Sequence, residues 1–371
     1  MNRSESRIDP ETEEAISMKA IIPCAGRGQR LRPLTFTNAK PLIPIANKPL
    51  VLYAIEALKQ VGIHEIGLVV GDNISDMKDA LRDGSEYGVQ LTYIYQEQPL
   101  GIAHTILVSQ SFLGHSPFVM YLGDNLLQES LEAPVRRFQE TRANGLIFLC
   151  ETQKPQLYGI AVLENNRVVR LVEKPKQPPS NLAAIGLYIF DATIHQVIQN
   201  QKPSARGELE ITDAIQGLID SGAKVEHHVI QGWWIDAGNP DDMIEANRLV
   251  LQSLAPSNEG HADDTSDIRG NVAIGPGTEI CHSTIRGPVI IGKNCRIRNA
   301  FVGSFTSIGS GSDLENCEVE YSVIMENCAL QNIDGRIDNS ILGRNVRVTK
   351  SSRRPRSFKL VLSDESVAEL M

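Results

Sequence analysis

From Ile268 onward an apolar residue recurs every six positions: Ile268, Ile274 and Ile280, then Ile291 and Ile297, then Val302, Ile308 and Leu314, then Ile324 and Leu330, then Leu342 and Val348. Glycine often follows it directly, at Gly275, Gly292, Gly303, Gly309 and Gly343. A small or β-branched residue often stands four after it, at Val272, Thr278, Thr284, Cys295, Thr306, Ser312, Cys328 and Val346, and Phe301 is the exception. This is the hexapeptide signature of a parallel β-helix. Three hexads close one triangular coil, with the apolar residue pointing into the prism and the small one at a crowded corner. Residues 268–350 then give four or five coils. In proteins with this repeat the coil is left-handed, against the usual crossover rule. Ordinary antiparallel strands would not keep twelve apolar positions in phase over five runs.

Residues 18–254 have a different texture, with short apolar runs alternating with helical patterns. That alternation predicts an α/β fold with a mixed, mostly parallel, Rossmann-like sheet. Strands are expected at Lys19–Cys24, Glu65–Val70, Leu91–Tyr95, Phe118–Leu122, Leu146–Cys150, Gly159–Leu163, Val168–Glu173 and Ala184–Phe190. Helices are expected at Leu50–Val61, Ala103–Ser109, Glu210–Ser221 and Asp242–Leu254. Residues 255–267 (APSNEGHADDTSD) are polar, small and acidic, which is the composition of a linker. Residues 1–17 are polar and acidic, lack the apolar core of a signal peptide, and are expected to be a disordered tail. Residues 351–371 carry a basic patch (Arg353, Arg354, Arg356) and the segment FKLVL, which could cap the open end of the β-helix.

Composition narrows the function classes. The chain of 371 residues fits two domains, and its net charge of −9 argues against a nucleic-acid partner. No apolar run approaches the ~18 residues of a membrane span. The six cysteines, Cys24, Cys150, Cys281, Cys295, Cys317 and Cys328, form no CxxC pair. They are expected to be reduced packing residues in a cytoplasmic protein.

Against that acidic background, the stretch between Glu14 and Glu56 has no acidic residue and carries Lys19, Arg27, Arg30, Arg32, Lys40 and Lys48. Within it, CAGRGQRLRPLTFTNAKP follows a strand. Gly26 and Gly28 let the backbone approach an anion, arginine offers a planar fork to phosphate oxygens, and lysine offers a point charge. Together they describe a polyphosphate cradle. GxxxxGK[ST] is absent, and GxGxxG fails because Leu31 stands where its last glycine would be. A surface turn with incidental basic residues is the plainer alternative.

Two aspartates complement the cradle. Asp124 ends FVMYLGD, at the carboxyl end of an apolar strand, where open α/β sheets bind ligands. Asp236 lies in GWWIDAGNPDD, a turn before a helix. Carboxylates beside a nucleoside triphosphate commonly hold Mg²⁺. Alternatively Asp124 closes a turn, and Asp236 caps the helix, a role that Asp241 or Asp242 would fill better. A third cluster, Glu173-Lys174-Pro175-Lys176, is weak alone and gains weight from its company.

Taken with HEIGLVVGDN, YIYQEQPLGIAHTI, LVEKPKQPPSNLAAIGLYIFD and RGELEITDAI, these motifs resemble the sugar-phosphate nucleotidyltransferases. The nearest likeness is to the long thymidylyltransferase branch, which carries a β-helix after the catalytic domain. The resemblance implies a reaction of dTTP with α-glucose 1-phosphate, assisted by Mg²⁺, with release of pyrophosphate. It implies that Ala25, Gly26, Gly28 and Gln29 form the phosphate loop, with Arg30 on the triphosphate and Lys40 at the reacting phosphates. Gln96 and Gly101 would meet the base, and Asp124 and Asp236 the metal. Tyr158, Gly159, Glu173, Lys174 and Ala184 would line the sugar-phosphate pocket, with Lys174 pairing to the phosphate. Two positions depart from the family's pattern: Ala25 replaces a glycine, and Gln29 replaces a threonine hydroxyl. UTP or another nucleotide with a different hexose 1-phosphate is the alternative substrate pair. A β-helix acyltransferase would need a catalytic histidine, and the expected coils hold only His282. A non-catalytic docking role would leave Arg30, Lys40, Asp124 and Asp236 unexplained. The β-helix is expected to join copies into a homo-oligomer.

Overall fold

A computed structural model describes residues 18–350 and 364–368. The expected tail at 1–17 and the FKLVL cap lie outside the described residues. Lys19–Pro23 is an interior strand of a nine-stranded mixed sheet. Glu65–Val70 and Phe118–Tyr121 run parallel to it on either side, and Gln90–Tyr95 extends the parallel part beyond Glu65–Val70. Side chains alternate between the two faces. Ala20, Ile22, Leu68 and Tyr121 enter one core, while Ile21, Val69, Phe118 and Met120 enter the other. Both faces are covered, which is why these strands read as unbroken apolar runs. Leu182–Phe190 turns the sheet antiparallel against Phe118–Tyr121 and Gly145–Glu151, and Val225–Val229 closes parallel on the latter.

The expected strands and helices are present with ends shifted by a few residues. The helix expected at Asp242–Leu254 spans Pro240–Leu251, capped by Asn239, whose side chain accepts from Asp242 N. Asp236 therefore caps nothing and instead ends the strand Trp234–Asp236. Helices Ile74–Leu81 and Glu132–Thr141 and the strand Val225–Val229 were not foreseen, because their apolar residues are few and interrupted by charge, nor was the helix Thr193–Gln199, which is only seven residues long.

The second half is a left-handed parallel β-helix of three sheets, of six, six and five strands. Its first coil corrects the expected linker. Ser257–Asn258 pairs with Ala273–Ile274, and His261–Ala262 pairs with Glu279–Ile280. The polar composition misled because an end coil is wetted more than its neighbours. This coil also adds His261 to the histidine of the repeats.

The early coils are shorter than three hexads, whereas the last reaches a full 18 residues, with Glu318 pairing with Arg336. Asp267 pairs with Thr284, and Thr284 with Phe301, a repeat of 17 residues rather than 18. On one face the spacing is five, so Ile285 and Val319 point inward although the six-residue phase skips them. The corner moves with it. The buried small residues there are Ser283, Ala300 and Cys317, each one position before the expected one. Phe301 is thus no exception: it follows the true corner residue, Ala300, and its ring meets the Arg336 guanidinium 4.9 Å away. The left-handed backbone at this same corner, one residue before Ala300 and Cys317, is taken by Asn299, Asn316 and, one coil on, Asn332, whose side-chain amides hydrogen-bond in a ladder at 2.7 Å and 2.7 Å.

The β-helix also packs on the cradle side of the first half. Met325 joins a core with Leu31, Ile43, Ile45 and Met243, with Leu34 and Ile341 at its margin. Asn47 Nδ2 donates to Ile308 O at 2.8 Å, and Arg344 donates to Asn38 Oδ1 at 2.6 Å.

Candidate functional site

The parallel strands deliver the segment after Cys24, Gly71, Gln96 and Asp124 to one edge of the sheet. Gly28 begins a short turn, Gln29–Leu31, with φ +60. A Cβ there would lie 2.8 Å from Thr35 Cγ2 and 3.1 Å from Lys40 Cβ, so this position needs glycine for both its backbone and its neighbours. Around Gly26 no atom of the described residues comes within 4 Å of an added Cβ, so among them the loop faces open space. Ala25 packs on Gly71, across which lies the backbone of Gln96. Gln29 and Arg30 are exposed beside this opening.

Lys40 Nζ lies 2.5 Å from Asp124 Oδ2, with the lysine side chain only 10% exposed. Burial would push the Asp124 carboxyl up, but the Lys40 ammonium and the Asn125 amide together hold it below its usual range. Asn125 Nδ2 donates to Asp124 Oδ1 at 2.9 Å, and Trp234 Nε1 donates to Asn125 Oδ1 at 2.6 Å. Asn125 and Trp234 were not foreseen; a polar residue directly after the motif aspartate was the available signal.

Asp236 reaches the same place by strand pairing. It sits opposite Asn125, and Ala237 N donates to Asp124 O at 2.9 Å. Arg30 completes the corner, its guanidinium lying where a Cβ on Gly238 would be 2.8 Å away. Asp236 Oδ1 is buried with no hydrogen-bond partner among the described residues. Burial, with Asp124 adding to it, pushes this carboxyl up to about 6. An orphaned carboxylate oxygen beside a second carboxylate fits a divalent cation. No group of three or more His, Cys, Asp or Glu side chains stands ready for a metal among the described residues. Mg²⁺ suits such a sparse site, since it keeps waters and shares substrate phosphates with one or two carboxylates.

The Glu173 cluster is a few residues away through Tyr158, whose ring packs edge-on against Trp234 at 5.3 Å. Gly159 pairs in register with Glu173, and a Cβ there would meet Thr212 Cγ2 at 2.5 Å. Glu173 accepts from Thr212 Oγ1 at 3.2 Å and faces Lys174 Nζ at 3.5 Å. Arg206 is the residue that sequence reasoning missed: it lies 3.4 Å from Glu173 and grips buried Glu210 through Nε and a terminal nitrogen. The motif RGELEITD contained it without indicating its role. Ala184 is 7% exposed in the Leu182–Phe190 strand.

Gln96 and Gly101 belong to the next loop. Gly101 has φ +106, and a Cβ would lie 2.5 Å from Leu209 O. It ties this loop to the segment bearing Arg206 and Glu210. His282 is 71% exposed, at a left-handed corner 3.5 Å from Asp263. That is a structural position rather than a catalytic one.

Comparison with known proteins agrees with this geometry. Residues 19–253 match the family model described as nucleotidyl transferase. A glucose-1-phosphate thymidylyltransferase of Streptomyces griseus is 43% identical over 95% of this chain and 99% of its own. Among solved structures, a glucose-1-phosphate thymidylyltransferase of Bacillus anthracis, crystallised with sucrose, matches at TM-score 0.61 and 33% identity, over 65% of this chain and 98% of that one. A UDP-glucose pyrophosphorylase in complex with UDP-glucose matches at TM-score 0.57 and 27% identity, over 64% of this chain and 99% of that one. With the cradle, the paired aspartates and these likenesses together, the chain belongs to the nucleotidyl transferase family.

Proposed function

We propose that the protein joins dTTP to α-glucose 1-phosphate, forming dTDP-glucose and pyrophosphate. The observation that carries this is the corner made by Lys40, Asp124, Arg30 and the unpartnered Asp236 oxygen beside an open glycine loop. A sugar phosphate is mostly dianionic near pH 7, with its second pKa at ~6, so the attacking oxygen needs no general base. One phosphate oxygen attacks the α-phosphorus, the bond from that phosphorus to the bridging oxygen breaks, and pyrophosphate leaves with the electron pair. What remains for the protein is to hold two anions in line and to meet the developing charge. Arg30 offers its fork to the triphosphate oxygens, and the Gly26–Gly28 backbone approaches them. Lys40 turns from Asp124 toward the reacting phosphates. Lys174 and Arg206 bracket the sugar phosphate, while Glu173, oriented by Thr212 and Arg206, accepts from sugar hydroxyls. Mg²⁺, held by Asp124 and Asp236, supplies charge neutralisation and Lewis acidity at the phosphates when bound.

The pairing of dTTP with glucose follows the names of the relatives. UTP is the second reading, favoured by the likeness to a UDP-glucose pyrophosphorylase. Thymine and uracil differ by one methyl, worth only ~1–3 kcal/mol in a pocket. No helix among the described residues is long and apolar enough to cross a membrane, which accords with a cytoplasmic enzyme. The β-helix is its means of forming a homo-oligomer. The test is pyrophosphate release with Mg²⁺, crossing dTTP, UTP, ATP, CTP and GTP with glucose, galactose, mannose and N-acetylglucosamine 1-phosphates. The highest kcat/KM is expected for dTTP with glucose 1-phosphate. A different best pair would replace the substrates, and no release with any pair would overturn the activity.

A further inference from the structure

Gln96 is the first residue past the Gln90–Tyr95 strand and is 3% exposed. Its backbone N–H donates to Val70 O at 2.8 Å, so the main chain fixes where its side chain begins. Among the described residues the side-chain amide has one partner: Nε2 lies 2.8 Å from Nδ1 of His104, which stands in the helix Ile102–Val108. An amide nitrogen can only donate. Nδ1 therefore accepts, which requires a neutral imidazole carrying its proton on Nε2. Burial acts in the same direction, holding His104 below its usual range. The ring also lines a cavity of about 360 Å³ with Tyr95, Glu97 and Leu100, where an Nε2–H can meet solvent.

The contact gives the Gln96 amide a polarity. With one Nε2 hydrogen held by His104, Oε1 and the second hydrogen are left for a ligand. An acceptor beside a donor matches the N3–H and adjacent carbonyl of thymine or uracil. Cytosine presents the reverse, an accepting N3 beside a donating amino group. An amide free to turn over would serve both edges equally.

We propose that His104 is a positioning residue: it locks the Gln96 amide in the orientation that reads an imide edge, and so selects thymine and uracil nucleotides over cytosine nucleotides. This rests on Gln96 reading the base. His104→Phe keeps an aromatic ring and removes the acceptor, whereas His104→Gln restores an acceptor. Steady-state kinetics with dTTP, UTP and dCTP should show KM for dTTP and UTP rising about tenfold in His104→Phe, the worth of one oriented hydrogen bond. The preference over dCTP should shrink by the same factor, with kcat little changed, and His104→Gln should recover it. In a Gln96→Ala background, His104→Phe should add nothing.

If Gln96→Ala loses base selectivity while His104→Phe keeps both KM and selectivity, the role of His104 is overturned and base reading stands. If Gln96→Ala itself keeps selectivity, the reading of Gln96 falls and the proposal with it. Nitrogen-15 NMR of histidine in the unmutated protein gives a check that needs no variant. The His104 signal must show an unprotonated Nδ1, and a protonated Nδ1 overturns the proposal.

Discussion

The Lys40 ammonium lies 2.5 Å from the Asp124 carboxylate, and the two side chains are 10% and 27% exposed. Each is the other's counter-ion in a place where a lone charge would be costly. Lys40 thereby keeps Asp124 ionised against the upward push of burial. In the proposed reaction the same ammonium meets the reacting phosphates, so resting state and reaction use one cation for two anions.

Lys40→Ala is therefore expected to slow pyrophosphate release by about 10²–10³-fold, the usual effect of removing one preorganised charge from a transition state. Far-UV circular dichroism should be unchanged, because Lys40 lies in a three-residue turn outside the sheet. Activity near that of the unmutated protein would remove Lys40 from the chemistry.

A pH-dependent stability follows from Asp236. Its carboxyl is pushed from the ordinary 3.8 up to about 6 by burial, with Asp124 adding to it. The folded protein then holds this proton more tightly than the unfolded chain does, so stability falls as pH rises between those values and stays lower above them. Asp236→Asn, measured with a chelator present, should gain about 1–3 kcal/mol at pH 8 and little at pH 4. It should also lose most of its activity. An equal gain at both pH values would count against an ionised, strained Asp236.

Much of this site is legible in the sequence because short apolar runs flank it. Gly28, Lys40, Asp124 and Asp236 each stand beside a short apolar run whose direction is readable. Arg206 is not readable in the same way: it lies in a loop, and its meeting with Glu173 depends on Gly101 packing against Leu209 across a long sequence interval. The β-helix shows the same limit. Its period is written in the apolar residues, but the short face at Ser283 and Ala300 appears only when register pairs Thr284 with Phe301. The first two strands of the first coil, Ser257–Asn258 and His261–Ala262, carry no large apolar residue and are held by pairing with the second coil.

Gly101→Ala tests the link between the base loop and the Arg206 segment. The added Cβ would lie 2.5 Å from Leu209 O and 2.8 Å from Leu209 N, on a backbone with φ +106. Backbone cannot swing aside as a side-chain tip can, so a loss of at least about 2 kcal/mol is expected. Thermal unfolding reads that loss. KM for the sugar phosphate should rise with it, because Leu209 lies one residue from Glu210, which holds Arg206. A destabilised variant with unchanged KM would separate the two loops.

Asn247 carries the corresponding test for the β-helix. It is 1% exposed on the helix Pro240–Leu251. Its Oδ1 accepts from Ala46 N at 2.9 Å, and its Nδ2 donates to Phe305 O at 3.0 Å. One amide thus fastens the segment just after Lys40 to a coil of the β-helix. Asn247→Ala leaves both groups without a partner, at a cost of about 2–3 kcal/mol. Asn247→Asp keeps the acceptor, loses the donor and buries a charge, so it should destabilise more at pH 8 than at pH 5. If the β-helix steadies the Lys40 segment, Asn247→Ala should also lower kcat severalfold at a temperature where the protein stays folded. A drop in melting temperature with kcat intact would confine the β-helix to stability, because Asn247 itself touches neither Lys40 nor Asp124.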